Sequence, residues 1–100
     1  MFALIVRFEL RDVESAAVFD RLVAETVPEI RGVEPGTLIY VVHPVEGAPL
    51  ARVFYELYES REAFEVHEAQ PHTRRFLGER EQYLRDTRVE FLGSPVGKGV

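Results

Sequence analysis

The order of strand-like and helix-like segments is the feature that most constrains the fold of this chain. Strands show an alternation of residues with a period of two, whereas amphipathic helices repeat their apolar residues every three or four positions. Strand patterns occupy residues 2–11, 37–43, 50–58 and 87–92. A helical pattern lies between the first two strands, and a broken one lies between the last two. This β-α-β-β-α-β order predicts an α+β, ferredoxin-like fold with an antiparallel sheet.

Capping residues and prolines set the expected helix boundaries. Asp12 can cap a first helix over about residues 13–27. We expect this helix to kink or end near Pro28, because proline lacks the backbone donor that a helix interior uses. Ser60 can cap a second helix, and Pro71 suits the first turn of a third. The apolar stripe of the third helix is expected to comprise Phe76, Leu77, Arg80, Tyr83 and Leu84.

The remaining segments are predicted to connect these elements. Residues 44–49, PVEGAP, should form the loop of a hairpin between the second and third strands. His43, which precedes this loop, is expected to belong to it. We expect the whole chain to form a single domain, with residues 93–100 as a flexible tail.

Two strands are apolar on both faces, in the segments FALIV and LIYVV. An antiparallel sheet with one face in water should instead alternate apolar and polar residues. The helices of this topology cover only one face, and no other element of the chain remains to cover the second. The sequence therefore predicts a homodimer in which two sheets pack face to face; a monomer with an exposed apolar patch is the alternative.

Composition excludes several functional classes. The chain has no cysteine, which rules out disulfides, thiolate metal sites and cysteine nucleophiles. A formal net charge of −5 with dispersed signs argues against a nucleic-acid or anionic-membrane partner. No apolar run approaches the roughly 20 residues that span a bilayer, and the N-terminus lacks the pattern of a signal peptide. A cytoplasmic protein is predicted.

A set of residues along the chain carries a resemblance to a known family. These residues are Glu34-Pro35-Gly36-Thr37, Tyr40, Tyr55-Glu56, Tyr58, Ser60, Glu62-Ala63, His67, Pro71-His72 and Phe76. The pattern resembles the antibiotic biosynthesis monooxygenase family of dimeric α+β barrel proteins. The resemblance implies one pocket per subunit and oxidation of quinols or phenolic compounds by O2 without flavin, haem or metal. The chain has no tryptophan and no asparagine, which makes the haem-degrading relatives a poor match and the quinol-oxidising ones the closer match.

His67 and Glu56 are the predicted catalytic residues. Oxygenation without a cofactor needs a base that deprotonates an electron-rich substrate, and histidine titrates near neutral pH. His67 shares a helix face with Ala63 and Phe64, so it should point toward the sheet. Glu56 could orient His67, or it could pair with an arginine, Arg52 or Arg80. A buried histidine that only satisfies the core is the alternative for His67.

Further residues are predicted to bind the substrate: Tyr40, Tyr55, Tyr58, Phe64, His72, Phe76, Arg80 and Tyr83. Tyrosines could shape an aromatic pocket and offer hydroxyls, although aromatic residues more often belong to the core. Arg80 could stabilise an anionic substrate or extend to solvent. His72 lies five positions after His67, which places it about 140° away on an ideal helix, so it is expected at the surface. No metal site is predicted, because no HExxH motif or histidine pair at i, i+4 is present.

Three functions remain open from the sequence. The first is a cofactor-independent monooxygenase that acts on a quinol-like or hydroxylated polycyclic aromatic molecule. The second is a binding or stress-response protein on the same architecture, and the third is a non-oxidative cyclase or isomerase. An open cavity with Glu56 in hydrogen-bond reach of His67 would favour an enzyme. A filled core around His67 would favour a binding protein.

Overall fold

The computed structural model describes residues 1–100 and has the expected order of elements. The strands are β1 (Phe2–Leu10), β2 (Thr37–Val45), β3 (Ala48–Tyr58) and β4 (Leu84–Leu92). The helices are α1 (Val13–Val33), α2 (Arg61–Ala69) and α3 (Pro71–Arg80), and a short 3-10 turn (Glu81–Tyr83) follows α3. All neighbouring strands are antiparallel, in the order β2-β3-β1-β4. The α+β, ferredoxin-like fold is confirmed.

Helix α1 continues through Pro28 to Val33, so of the two expected outcomes, a kink or an end near the proline, the end is not observed. Asp12 caps the helix, and its carboxylate accepts a hydrogen bond from the backbone N–H of Ser15 at 2.7 Å. The buried stripe extends past the proline to Ile30, which is 4% exposed. Burial of this side chain offsets the one hydrogen bond that the proline cannot donate.

The hairpin between β2 and β3 is tighter than predicted. Only Glu46 and Gly47 connect the two strands, instead of residues 44–49. Gly47 has a φ of 77°, a left-handed conformation that glycine adopts without a Cβ clash. His43 therefore lies within β2 and not in a loop.

The chain between α3 and β4 also differs from the expectation. The helix ends at Arg80, so the stripe predicted to reach Tyr83 and Leu84 stops early, and β4 begins at Leu84. Val89 and Phe91 of this strand remain 47% and 63% exposed. Because β4 is an edge strand, it is only partly covered by the helices.

The helices pack on the sheet face that carries the alternate apolar residues of β1. Phe8 and Phe54 are each 1% exposed there, and they stack edge-on at 5.0 Å between ring centroids. Phe19 of α1 contacts both rings at 5.5 and 6.0 Å. Aromatic packing of this kind fixes the distance between helices and sheet, and it leaves room for a site beyond the Phe54 ring.

The opposite sheet face carries the other set of alternating residues. One row across the sheet consists of Val41, Tyr55 and Ile5, followed by Glu90. Val41 is 41% exposed, and Tyr55 and Ile5 are partly exposed. No helix of the chain is long and apolar enough to cross a membrane.

Candidate functional site

A cavity of about 150 Å³ lies between the helix side of the sheet and the helices α2 and α3. Its apolar lining comes from Leu4, Val6, Phe54, Phe64, Phe76, Leu77, Val89 and Phe91. Its polar lining comes from Tyr40, Glu56, His67, Glu68, Thr73 and Arg80. A larger groove of about 400 Å³ lies between α1 and β2, but it contains neither His67 nor Glu56. The smaller cavity is therefore the candidate site, because it combines an apolar wall with convergent titratable groups.

His67 occupies the last turn of α2 and faces the sheet. The helix begins with Ser60, whose hydroxyl accepts a hydrogen bond from the backbone N–H of Ala63 at 3.1 Å. The imidazole is 4% exposed and lies 5.4 Å from the rings of both Tyr40 and Tyr58, measured between centroids. This packing fixes the orientation of the ring, so one of its nitrogens faces away from the cavity and the other lies near Glu56.

Glu34 holds the Nδ1 atom of His67, at 2.6 Å from its Oε1 atom. Glu34 follows α1 directly, and its side chain is 1% exposed. The same oxygen accepts a hydrogen bond from the hydroxyl of Thr37 at 2.7 Å. An ionised carboxylate can only accept, so a neutral His67 carries its proton on Nδ1 and presents the free lone pair of Nε2. The hydrogen bond to Glu34 therefore fixes the tautomer of His67, and a positive charge on the ring would have a counterion.

His72 converges on the same carboxylate, which the sequence did not predict. Its Nε2 atom is hydrogen-bonded to the second oxygen of Glu34. The chain turns at Gln70, whose extended backbone separates α2 from α3, so the angle expected on one continuous helix does not apply. His72 is thus largely buried instead of lying on the surface, and it lines a shallow outer groove and not the cavity.

Glu56 is the second titratable group of the cavity. Its Oε1 atom accepts a hydrogen bond from the hydroxyl of Tyr58 at 2.6 Å and lies 4.0 Å from Nε2 of His67. The expected direct bond to His67 is absent, and so are the alternative arginine pairs, since Arg52 pairs with Asp20 at 2.8 Å. Burial raises the pKa of Glu56 to about 7, although the Tyr58 hydrogen bond opposes this increase. The carboxyl can therefore both hold and accept a proton near neutral pH.

The two buried tyrosines next to His67 stay protonated. Burial raises the pKa of Tyr40 and that of Tyr58 well above the ordinary value, and the charge of Glu56 contributes to both increases. Their hydroxyls can donate hydrogen bonds but do not supply a base.

Six of the sequence-predicted site residues line the cavity: His67, Glu56, Tyr40, Phe64, Phe76 and Arg80. Tyr55 does not, because it lies on the opposite face of the sheet. Tyr58 is fully buried behind Glu56, and Tyr83 packs against the core after α3. Sequence reasoning missed Glu34 as a partner of His67, and it missed Thr73 and Glu68 in the lining.

One sequence signal could have located Glu34. A Cβ atom built on Gly36 would lie 2.7 Å from the Cβ atom of Ala63. Only glycine permits this close approach, which brings the loop after α1 against α2 and places Glu34 beside His67. The Glu34-Pro35-Gly36-Thr37 segment therefore has a geometric role in the site.

The cluster of Glu34, His67 and His72 has the residue types of an iron-binding triad. Each histidine nitrogen that faces the carboxylate is hydrogen-bonded to it, so these atoms bind one another and do not point to a shared centre. The chain contains no group of three or more side chains arranged to hold a metal ion. The arrangement instead suits proton transfer.

The sequence profile of the antibiotic biosynthesis monooxygenase family matches residues 1–79. No curated protein matches the chain in sequence.

Solved structures share the fold over nearly the whole chain. An antibiotic biosynthesis monooxygenase is 25% identical with a TM-score of 0.85, and the match covers 96% of this chain and 100% of that one. A protein from Mycobacterium tuberculosis is 24% identical with a TM-score of 0.86, covering 99% and 98% of the two chains. A protein from Pseudomonas aeruginosa is 22% identical with a TM-score of 0.82, covering 95% and 94%.

Proposed function

Because the chain belongs to the antibiotic biosynthesis monooxygenase family, we propose that it is a cofactor-independent monooxygenase that oxidises a hydroxylated, quinol-like aromatic molecule with O2. The observation that carries this proposal is the arrangement of His67. Its Nδ1 atom is hydrogen-bonded to buried Glu34, and its Nε2 atom lies in an apolar cavity near Glu56. A base oriented by a carboxylate is the group that oxygenation without a cofactor requires.

The first step transfers a proton from the substrate to His67. Nε2 of His67 and Oε1 of Glu56 lie 4.0 Å apart. A substrate hydroxyl placed between them can lie about 2.8 Å from both atoms, an ordinary hydrogen-bond distance. Its proton moves to Nε2, and Glu34 balances the charge of the resulting imidazolium. Loss of the proton makes the bound phenolate a stronger electron donor.

The second step transfers electrons to O2. The phenolate gives one electron to O2, and the resulting radical and superoxide combine to form a carbon–oxygen bond. The peroxide takes up a proton from the His67 imidazolium, and its O–O bond breaks. One oxygen atom stays on the oxidised ring and the other leaves as water. In total the substrate loses four electrons, which O2 receives, so a quinol becomes a hydroxyquinone without another oxidant.

The shape of the cavity supports an aromatic substrate of modest size. Its lining includes the rings of Phe54, Phe64, Phe76 and Phe91, which suit a flat apolar molecule. The volume of about 150 Å³ is similar to that of an engineered cavity that takes up benzene. A single ring therefore fits better than the polycyclic alternative.

A homodimer is the assembly that the sheet supports. The face away from the helices carries Val41, Tyr55 and Ile5 in one row, and no element of the chain packs on them as the helices pack on the other face. Burial of apolar side chains against a second copy would remove this surface from water. Light scattering should give the mass of a dimer for the wild type. Tyr55→Glu should shift it toward a monomer, whereas Arg74→Glu on α3 should not; a monomeric wild type would contradict this assembly.

Oxygen uptake is the test of the proposed reaction. Chelator-treated protein without added flavin is mixed with hydroquinone, and uptake is compared with the autoxidation rate. The wild type should exceed that rate, His67→Gln should abolish the excess, and Glu34→Gln should reduce it strongly. His43→Gln, which changes an exposed histidine on β2, should leave uptake unchanged. Binding of the quinol without uptake would favour a ligand-binding protein, and turnover without O2 would favour a cyclase or isomerase.

A further inference from the structure

Arg80 has an unusual position among the cavity residues. It occupies the last turn of α3 and lines the cavity, yet its guanidinium makes no hydrogen bond within the protein. Its Nε atom is fully buried and has no partner. The nearest carboxylate is that of exposed Glu81, 3.9 Å from Nε. A guanidinium offers five N–H donors, and a buried donor without an acceptor is costly.

Two aromatic rings pack against this guanidinium. Its central carbon lies 4.9 Å from the ring centroid of Phe8 and 5.7 Å from that of Phe76. Burial lowers the pKa of Arg80, since the charged form loses hydration without gaining a bonded counterion. The stacking orients the plane of the guanidinium, and its two Nη groups, which are not among the fully buried atoms, stay available to a ligand.

We propose that Arg80 binds a carboxylate on the substrate, so that the site selects a hydroxylated aromatic acid over a neutral quinol. This inference rests on the proposed function and narrows its substrate class. A planar guanidinium and a carboxylate form paired, charge-assisted hydrogen bonds. These bonds are stronger and more directional than hydrogen bonds between neutral groups. His67 and Glu56 line the same cavity, so one ligand can present a hydroxyl to them and a carboxylate to Arg80.

The other charged groups of the cavity are compatible with an acidic ligand. Glu56 and Glu68 also line it, and two carboxylates would repel an anion. Glu56 is close to half-protonated at neutral pH, because burial raises its pKa to about 7. Glu68 is exposed to solvent, which screens its charge. Arg80, which is partly buried, is therefore the positive charge of the cavity that an acid would meet.

Equilibrium binding of two matched probes tests this inference without turnover. The probes are hydroquinone and 2,5-dihydroxybenzoate, which differ by one carboxylate, and binding is measured by calorimetry without O2. The wild type should bind the acid about ten- to a hundredfold more tightly, the effect of a charge-assisted hydrogen bond. Arg80→Met should remove this preference, because it should weaken binding of the acid far more than binding of hydroquinone. Arg80→Lys, which keeps the charge but not the planar fork, should retain part of it.

Several outcomes would overturn the inference. One is that the wild type binds the acid no more tightly than hydroquinone, or binds neither probe. Another is that Arg80→Met weakens binding of both probes by the same factor. Arg88→Gln, at an exposed position on β4, is the matched control for loss of one arginine. If Arg80→Met does not fold, the wild-type comparison and Arg80→Lys still decide the question. Oxidation of hydroquinone without a preference for the acid would reject the role of Arg80 and leave the proposed monooxygenase intact.

Discussion

Replacement of Glu56 by glutamine should remove a pH-dependent loss of stability that the buried carboxyl imposes. Glu56 is 6% exposed, and the hydroxyl of Tyr58 supplies its one hydrogen bond. Burial raises its pKa from 4.5 to about 7. Glutamine has the same shape and keeps an oxygen that can accept from Tyr58, but it does not titrate. The substitution therefore isolates the effect of ionisation.

The sign and size of the effect follow from the two pKa values. In the unfolded chain the carboxyl ionises near pH 4.5, whereas the folded protein keeps it protonated up to about pH 7. Between these values the folded state binds more protons than the unfolded state, so the free energy of unfolding falls as pH rises. The difference in pKa corresponds to a loss of about 3 kcal/mol, which is complete above the folded-state pKa.

Urea unfolding at a series of pH values measures this loss. From pH 4.5 to pH 7, the free energy of unfolding of Glu56→Gln should rise by about 3 kcal/mol relative to the wild type. Glu65→Gln, at an exposed position on α2, controls for the removal of one carboxylate. Effects of titratable groups distant from Glu56 cancel in the comparison. A difference between Glu56→Gln and wild type that stays constant over this range would refute the reasoning, because it would mean that Glu56 is ionised throughout in the folded protein.

Two further stability predictions concern the support of His67. Glu34→Gln should lower the free energy of unfolding by about 2–4 kcal/mol, because the buried carboxylate accepts three hydrogen bonds and the amide replaces one of its two acceptor oxygens with a donor. Urea unfolding measures this loss, with exposed Glu29→Gln as the control. A change as small as that of the control would contradict the prediction. Gly36→Ala should cost about 1–3 kcal/mol, because its Cβ would lie 2.7 Å from that of Ala63. Gly32→Ala, in open space within α1, should instead be neutral or stabilising by up to about 1 kcal/mol, and equal losses in the two alanine variants would reject the steric argument.

The fold could be predicted because its main signals are local. The alternation of Leu4, Val6 and Phe8 identifies a strand face that the structure buries, and the capping residues Asp12 and Ser60 mark where two helices begin. The end of α1 could not be located in this way. Packing of Ile30 against the core outweighs the local preference of Pro28, and this tertiary contribution is not visible in a short sequence window.

The site could be predicted only in part, for two different reasons. The contact between Glu34 and His67 joins residues far apart in sequence, so it depends on how the loop at Gly36 packs on α2. The position of Tyr55 was available from the sequence, because strand alternation places it opposite Glu56. Its aromatic character suggests a pocket residue, but its register on β3 decides which face of the sheet it occupies.

The central claim is that His67 takes a proton from a phenolic hydroxyl bound in the cavity. Its most direct test is the absorption spectrum of bound 4-nitrocatechol, measured without O2 in a buffer acidic enough to keep the free dye neutral. The wild type should convert the bound dye to its phenolate, and His67→Gln should bind it in the neutral form. A dye that stays neutral in the wild type, or that ionises equally in His67→Gln, would contradict the claim.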